Sequence, residues 1–156
     1  MILRIRTILD VNDDVIRDIE IEDDSTLEDL NIFITKSYGF KEKEMASFFK
    51  TDENWKQGEE MNLIELDEKK NFSKKTLNSI LNKSNKRLIF IYDFLALWTF
   101  FIEVIEFTQP IKNTSYPNLI FSKGKIPKKP PNNFFINSKE KDQTENFDDL
   151  SDYELY

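Results

Sequence analysis

The chain has 156 residues, a third of them charged, with 29 acids against 22 bases, and it contains neither histidine nor cysteine. Without cysteine there is no disulfide, zinc-thiolate site or thiol nucleophile, and without histidine the commonest general base and transition-metal ligand are missing. The formal charge of −7 disfavours phosphate backbones, which demand clustered Lys and Arg, and the length predicts one domain with a tail left over.

In chain order, Leu3, Ile5 and Leu9 alternate with Arg4 and Arg6, the polar residues Asn12-Asp13-Asp14 follow, and Ile19 and Ile21 alternate with Asp18, Glu20 and Glu22. This pattern predicts a β-hairpin. Ser25 and Glu28 read as a capping box ahead of Leu27, Leu30, Phe33, Ile34 and Tyr38 at helical spacing, with Gly39 as a stop, which predicts a helix over about 26–38. Residues 46–50 and 62–66 read as two short strands, separated by a polar loop over 51–61 that carries Trp55. A short helical turn is expected over 76–81. Arg87 to Asp93 is apolar on both faces, Leu88, Phe90 and Tyr92 on one and Ile89 and Ile91 on the other, as befits a strand central in a sheet. Trp98 to Phe107 predicts a further long strand whose polar positions are Thr99, Glu103 and Glu106, the last out of phase with the other two. The apolar run from Leu88 to Ile102 contains Asp93 and falls short of the roughly 20 residues a bilayer demands. No membrane attachment is expected.

After Gln109-Pro110 the composition shifts to Pro, Asn, Lys and Ser, and from Lys139 it turns polar and then acidic. The expected organisation is an α+β core domain over 1–109, a Pro/Lys-rich surface-wrapping extension over 110–138, and an acidic, disordered tail over 139–156. The opening Met1-Ile2-Leu3-Arg4-Ile5-Arg6 has no basic segment followed by an apolar one, so a cytoplasmic location is expected.

Up to Asp93 the order ββα, ββ, short helix, β resembles the β-grasp, or ubiquitin-like, arrangement. The expected fold class is therefore α+β, with a β-grasp-like mixed sheet and one extra C-terminal strand. The strand at 87–93 would then insert between the first hairpin and the third strand. Fold analogy by itself carries no function.

A more specific likeness rests on three motifs. Ser25-Thr26-Leu27-Glu28-Asp29-Leu30-Asn31 leads to Gly39-Phe40; Tyr92, Asp93, Phe94 and Trp98 sit at the start of a strand; and Tyr116-Pro117 precedes Gly124 and the run to Pro131. Together they resemble the plasmid pRiA-four-b ORF-three-like family, small domains of unknown function that also occur as passengers of insertion sequences, over about residues 3–131. The resemblance implies a polar cluster of two histidines and an acid around the Trp strand and the helix. Here those positions are Asn31, Ala96, Thr99 and Phe100, and Asn132-Asn133 and Phe135-Ile136 replace the family's closing acidic and glycine residues. This chain is thus read as a degenerate member, without a catalytic or metal site.

Among other candidates, Asp10, Asp13, Asp14, Asp23 and Asp24 offer oxygen ligands for a hard cation, but acids at turns and before a helix also serve local amides and the helix dipole. The second role is the favoured one. Tyr92, Asp93 and Trp98 are read either as core, with Asp93 capping a turn through a turn amide or the Trp98 indole, or as a recognition groove; core is favoured. Trp55 with Phe48 and Phe49 forms either an exposed aromatic patch or a lid on the core. Lys123, Lys125, Lys128 and Lys129 form a basic cluster able to touch phosphate or the acidic tail. In that tail Phe147, Leu150, Tyr153 and Tyr156 recur every third residue among acids, as an amphipathic turn for a partner or as plain solubilising chain.

The expected function is that of a small cytosolic binding or adaptor domain with no catalysis and no cofactor, its partner a protein contacted through Trp55, Phe48, Phe147, Leu150 and Tyr153. The alternative is an accessory protein of a mobile genetic element that contacts nucleic acid or a recombinase.

Overall fold

A computed structural model describes residues 1–41, 43–63 and 72–131. Seven strands form one sheet: β1 (Ile2–Leu9), β2 (Ile16–Glu22), β3 (Ala46–Thr51), β4 (Gln57–Asn62), β5 (Arg87–Tyr92), β6 (Trp98–Thr108) and β7 (Asn118–Lys123). One helix, α1 (Leu27–Ser37), and a 3-10 turn over Leu77–Ser79 complete the described elements. The spatial order is β4-β3-β5-β6-β1-β2-β7, and the pairs along it are antiparallel.

This overturns the expected α+β class with its β-grasp-like mixed sheet: the described fold is dominated by one antiparallel sheet with a single α-helix. In a β-grasp β5 would lie beside β1, whereas here β5 pairs with β3 and β6, and β6 is the strand that meets β1. The reason is local. Residues 93–97 make a tight turn, so β6 folds straight back along β5 as a hairpin, and short connections force antiparallel neighbours. The 11 residues of β6 then present a whole second edge to β1. What the sequence suggested was an added terminal strand is the central one.

Packing follows from strand alternation. Leu3, Ile5 and Leu9 of β1, Ile19 and Ile21 of β2, Phe48 of β3, Leu88, Phe90 and Tyr92 of β5 and Trp98, Phe100, Ile102 and Val104 of β6 join Leu27, Leu30 and Ile34 of α1 in one buried cluster. Phe48, Phe90 and Phe100 lie at its centre, fully buried, with Phe48 and Phe100 rings 4.6 and 5.5 Å from that of Phe90. The register shift between Arg4 and Ile5 leaves Ile105 of β6 as an extra residue. That bulge explains why Glu106 is out of phase: it brings Glu106 opposite Arg4, on the outer face with Glu103.

The outer face is laced with ion pairs instead. Arg4 joins Glu20 at 2.9 Å and Glu106 at 2.5 Å, Arg6 joins Asp18 at 2.8 Å, and Arg87 joins Glu103 at 3.0 Å. Each partner lies on a neighbouring strand, so the pairs brace β2, β1, β6 and β5 together.

Two boundaries differ from the sequence reading. The helix cap is Thr26 with Asp29, which exchange side-chain and backbone hydrogen bonds at 3.1 and 3.0 Å, one residue beyond the Ser25 and Glu28 pair expected. Strand β4 occupies 57–62, all but its last residue inside what reads as a polar loop, while 64–66 of the expected strand lie outside the described residues. Residues 118–123, from the expected surface-wrapping extension, form β7 on the edge of β2. No described helix is long and apolar enough to cross a membrane. The tail residues Phe147, Leu150 and Tyr153 lie outside the described residues.

Candidate functional site

The turn between β5 and β6 concentrates unusual geometry. Asp93 and Leu97 have φ of 64° and 57°, a left-handed conformation that costs a non-glycine residue roughly 1–2 kcal/mol. Four hydrogen bonds hold it. The Asp93 carboxylate accepts from the amides of Leu95 and Ala96 at 3.1 and 3.3 Å, the Leu97 amide donates to the Asp93 carbonyl at 2.6 Å, and the Asp93 amide donates to the Met45 carbonyl at 2.8 Å. Asp93 is therefore a turn organiser satisfied by turn amides, not by the Trp98 indole. Leu95, at the tip, is 98% exposed.

Beneath the turn three aromatic rings form a floor where the chain passes from α1 to β3. Phe40 lies 4.7 Å from Tyr92 and 5.6 Å from Trp98, ring to ring, and Tyr92 and Trp98 are both buried. Between α1 and residues 40–46 the surface is hollowed twice, by about 410 Å³ and 240 Å³, with Glu28, Asn31, Lys43 and Glu44 lining both hollows. Asn31 is buried and donates through Nδ2 to Glu28 Oε1 at 2.8 Å, but its Oδ1 has no hydrogen-bond donor among the described residues. Ile32 and Met45, each about half exposed, flank these hollows. Three exposed apolar side chains, Leu95, Met45 and Ile32, are thus set at the end of the sheet where Tyr92, Asp93, Phe94 and Trp98 sit. Asn31 lines that cleft, whereas Ala96 belongs to the turn, and Thr99 and Phe100 follow it in β6.

A larger open hollow, about 880 Å³, lies elsewhere, between residues 51–54 and 83–87. Three of its charged groups, Arg87, Glu103 and Asp52, are already engaged. Arg87 pairs with Glu103, donates to the Glu53 carbonyl at 2.6 Å and stands 4.9 Å over the Trp55 ring. Asp52 accepts from the amides of Asn54 and Lys56 at 2.8 and 3.1 Å, and those bonds, Lys56 first, hold its carboxyl below the usual range. Trp55, at φ 60°, meets Phe101 edge-on at 5.2 Å, so it lids the outer face of the sheet rather than the core. Phe48, grouped with it in the sequence reading, is fully buried on the opposite face. The two do not share a surface.

The remaining signature residues have structural reasons of their own. Tyr116-Pro117 is a cis bond, and the Tyr116 hydroxyl accepts from the Ile111 amide at 3.1 Å. Gly124, at φ +80°, passes so close to β2's entry that an added Cβ would lie 2.2 Å from the Asp14 carbonyl oxygen. The carbonyls of Lys123 and Gly124 accept from the Arg17 guanidinium at 2.9 and 3.0 Å. Lys123, Lys125, Lys128 and Lys129 are exposed, Lys123 within 3.5 Å of Asp14. Among the described residues no cluster of three acids is placed to hold a metal ion.

The fold is shared with a crystal structure of MM3350, a protein of unknown function from Methanosarcina mazei Go1. The two align with a TM-score of 0.71 at 16% identity, over 81% of this chain and 72% of that one. No curated protein matches the chain. With Tyr92, Asp93, Trp98, Tyr116-Pro117 and Gly124 each given a place in the fold, the match of residues 2–133 to the family described as Plasmid pRiA4b ORF-3-like protein shows that the chain belongs to that family, a group of uncharacterised domains.

Proposed function

We propose that this domain is a protein-binding module without catalysis, and that it meets its partner with the end of the sheet that carries Leu95, Met45 and Ile32. The carrying observation is the conformation of the 93–97 turn. Two left-handed non-glycine residues and four hydrogen bonds are committed to holding a leucine that touches almost nothing. Strain kept at a surface is a mark of function, and exposed apolar side chains around an aromatic-floored cleft are the composition of a contact surface. Partner capture from native cytosol with the full chain and with Leu95→Asp tests this. Because Leu95 is so exposed, the substitution is expected to change stability by no more than about 0.5 kcal/mol while abolishing retention of a partner that the unaltered chain holds. Equal capture by both, or none by either, would sink the reading.

A second reading, an accessory protein of a mobile element contacting nucleic acid or a recombinase, draws on the exposed lysines at the end of β7 and after it, Lys123, Lys125, Lys128 and Lys129. A DNA mobility shift that weakens with salt and disappears on changing Lys128 and Lys129 would favour it; its absence at low salt would remove it.

A further inference from the structure

The two edges of the sheet are unlike. Strand β4, at one edge, carries Gly58, Glu59 and Glu60, all exposed, an ion pair from Lys50 to Glu59 at 3.2 Å, and a bulge against β3. Charge and bulging are the usual means of blunting an edge against further pairing. Strand β7, at the other, reads Asn-Leu-Ile-Phe-Ser-Lys, and its three central side chains, Leu119, Ile120 and Phe121, are 43–44% exposed. Its one bulge, at Ile120, is on the β2 side. Its far edge meets no strand among the described residues. An apolar edge of six residues without a charge until its last position is the kind that recruits another strand.

We propose that β7 pairs antiparallel with β7 of a second copy of this chain, joining two seven-stranded sheets edge to edge. The strand is complementary to itself. With the two-fold axis between Ile120 and Phe121, Ile120 of each copy faces Phe121 of the other, Leu119 faces Ser122, and Asn118 faces Lys123. No like charges are opposed, and apolar side chains meet across the axis, as the two-fold symmetry of most homodimers demands. The surface is separate from the Leu95 end of the sheet, so either is free to exist without the other.

Sedimentation of the full chain, with Ile120→Lys and Ile120→Glu prepared separately and then mixed, tests the pairing. The unaltered chain is expected at twice its 18.6 kDa, each variant alone at the single-chain mass because like charges meet diagonally across the axis, and the mixture at twice the mass again. Recovery on mixing excludes misfolding of the variants. A dimer that either charge leaves intact overturns the proposal. So does a monomeric unaltered chain.

Discussion

At the scale of single residues, the positions that tolerate least are those where backbone passes backbone. Gly124 and Gly39 both sit at positive φ, +80° and +85°, but an added Cβ at Gly39 meets nothing within 4 Å, whereas at Gly124 it meets the Asp14 carbonyl oxygen at 2.2 Å. Gly39→Ala is expected to cost only the left-handed strain, about 1 kcal/mol. Gly124→Ala adds a collision that backbone must move to relieve, for about 3 kcal/mol or more. Urea midpoints compare the two, and equal losses would contradict this account. Tyr38 gives a pH dependence. Its hydroxyl lies buried, 2.8 Å from Thr7 Oγ1 and 3.0 Å from the Thr7 carbonyl oxygen, and burial pushes its pKa up to about 12 from the ordinary 10.0. The folded chain therefore holds the phenolic proton more tightly than the unfolded chain does. The stability tied to that difference is intact below pH about 10 and is lost as pH rises from there through about 12, amounting to roughly 2–3 kcal/mol. The stability gap between the unaltered chain and Tyr38→Phe is expected to narrow by that amount over this window, and a gap that stays constant would count against it. Sequence reading put Tyr38 in the apolar stripe of the helix, but its bond to Thr7, 31 residues away, had no local signature.

At the scale of elements, the ion pairs of the outer face are unequal. Asp18 on β2 is 5% exposed and its bond to Arg6 of β1 ties two strands, while the side chains of Lys50 and Glu59 are each more than half exposed. Arg6→Met leaves the Asp18 charge buried without its partner and is expected to cost about 3 kcal/mol, with much of that recovered in the double change with Asp18→Leu. Lys50→Ala is expected to cost less than about 1 kcal/mol. Thermal unfolding of the three variants checks the ranking. Elements with an apolar period were legible in the sequence: β1, β2, α1, β5 and β6 lie within a residue or two of their expected bounds. Even the misfit of Glu106 was a true signal, of a bulge. Strand β4 was not legible, because it is an edge strand exposed at four of its six positions and so carries no hydrophobic period. Strand β7 was masked in the same way by its exposure on both faces and by the prolines around it. The capping box was placed one residue early because Ser25-Glu28 and Thr26-Asp29 have the same spacing, and only the backbone conformation at Thr26 (φ −95°, ψ 167°) chooses between them.

At the scale of the whole molecule, the sheet is clad by α1 on one face and braced by ion pairs on the other, with exposed apolar side chains at the Leu95 end and along the β7 edge. The candidate contact surface was partly legible. Tyr92, Asp93 and Trp98 stood out in the sequence, and Asp93 as a turn cap follows from its position at a strand end. That Leu95, Met45 and Ile32 share the end where they sit was not, because it depends on β3 lying beside β5. The grouping of Trp55 with Phe48 failed for the same reason: neighbours in sequence were assigned one surface, but Phe48 points into the core while Trp55 packs over Phe101 on the other face. By itself the sequence determined the side-chain chemistry that is missing, the identity of most strands and the helix, and the buried faces of β1, β2, α1, β5 and β6, since composition and hydrophobic period are local properties. Strand order, the central place of β6 and the convergence of the exposed apolar residues were decided only by tertiary structure. Pairing between strands as distant in sequence as β1 and β6 is selected by competition among edges, and no local pattern records the winner.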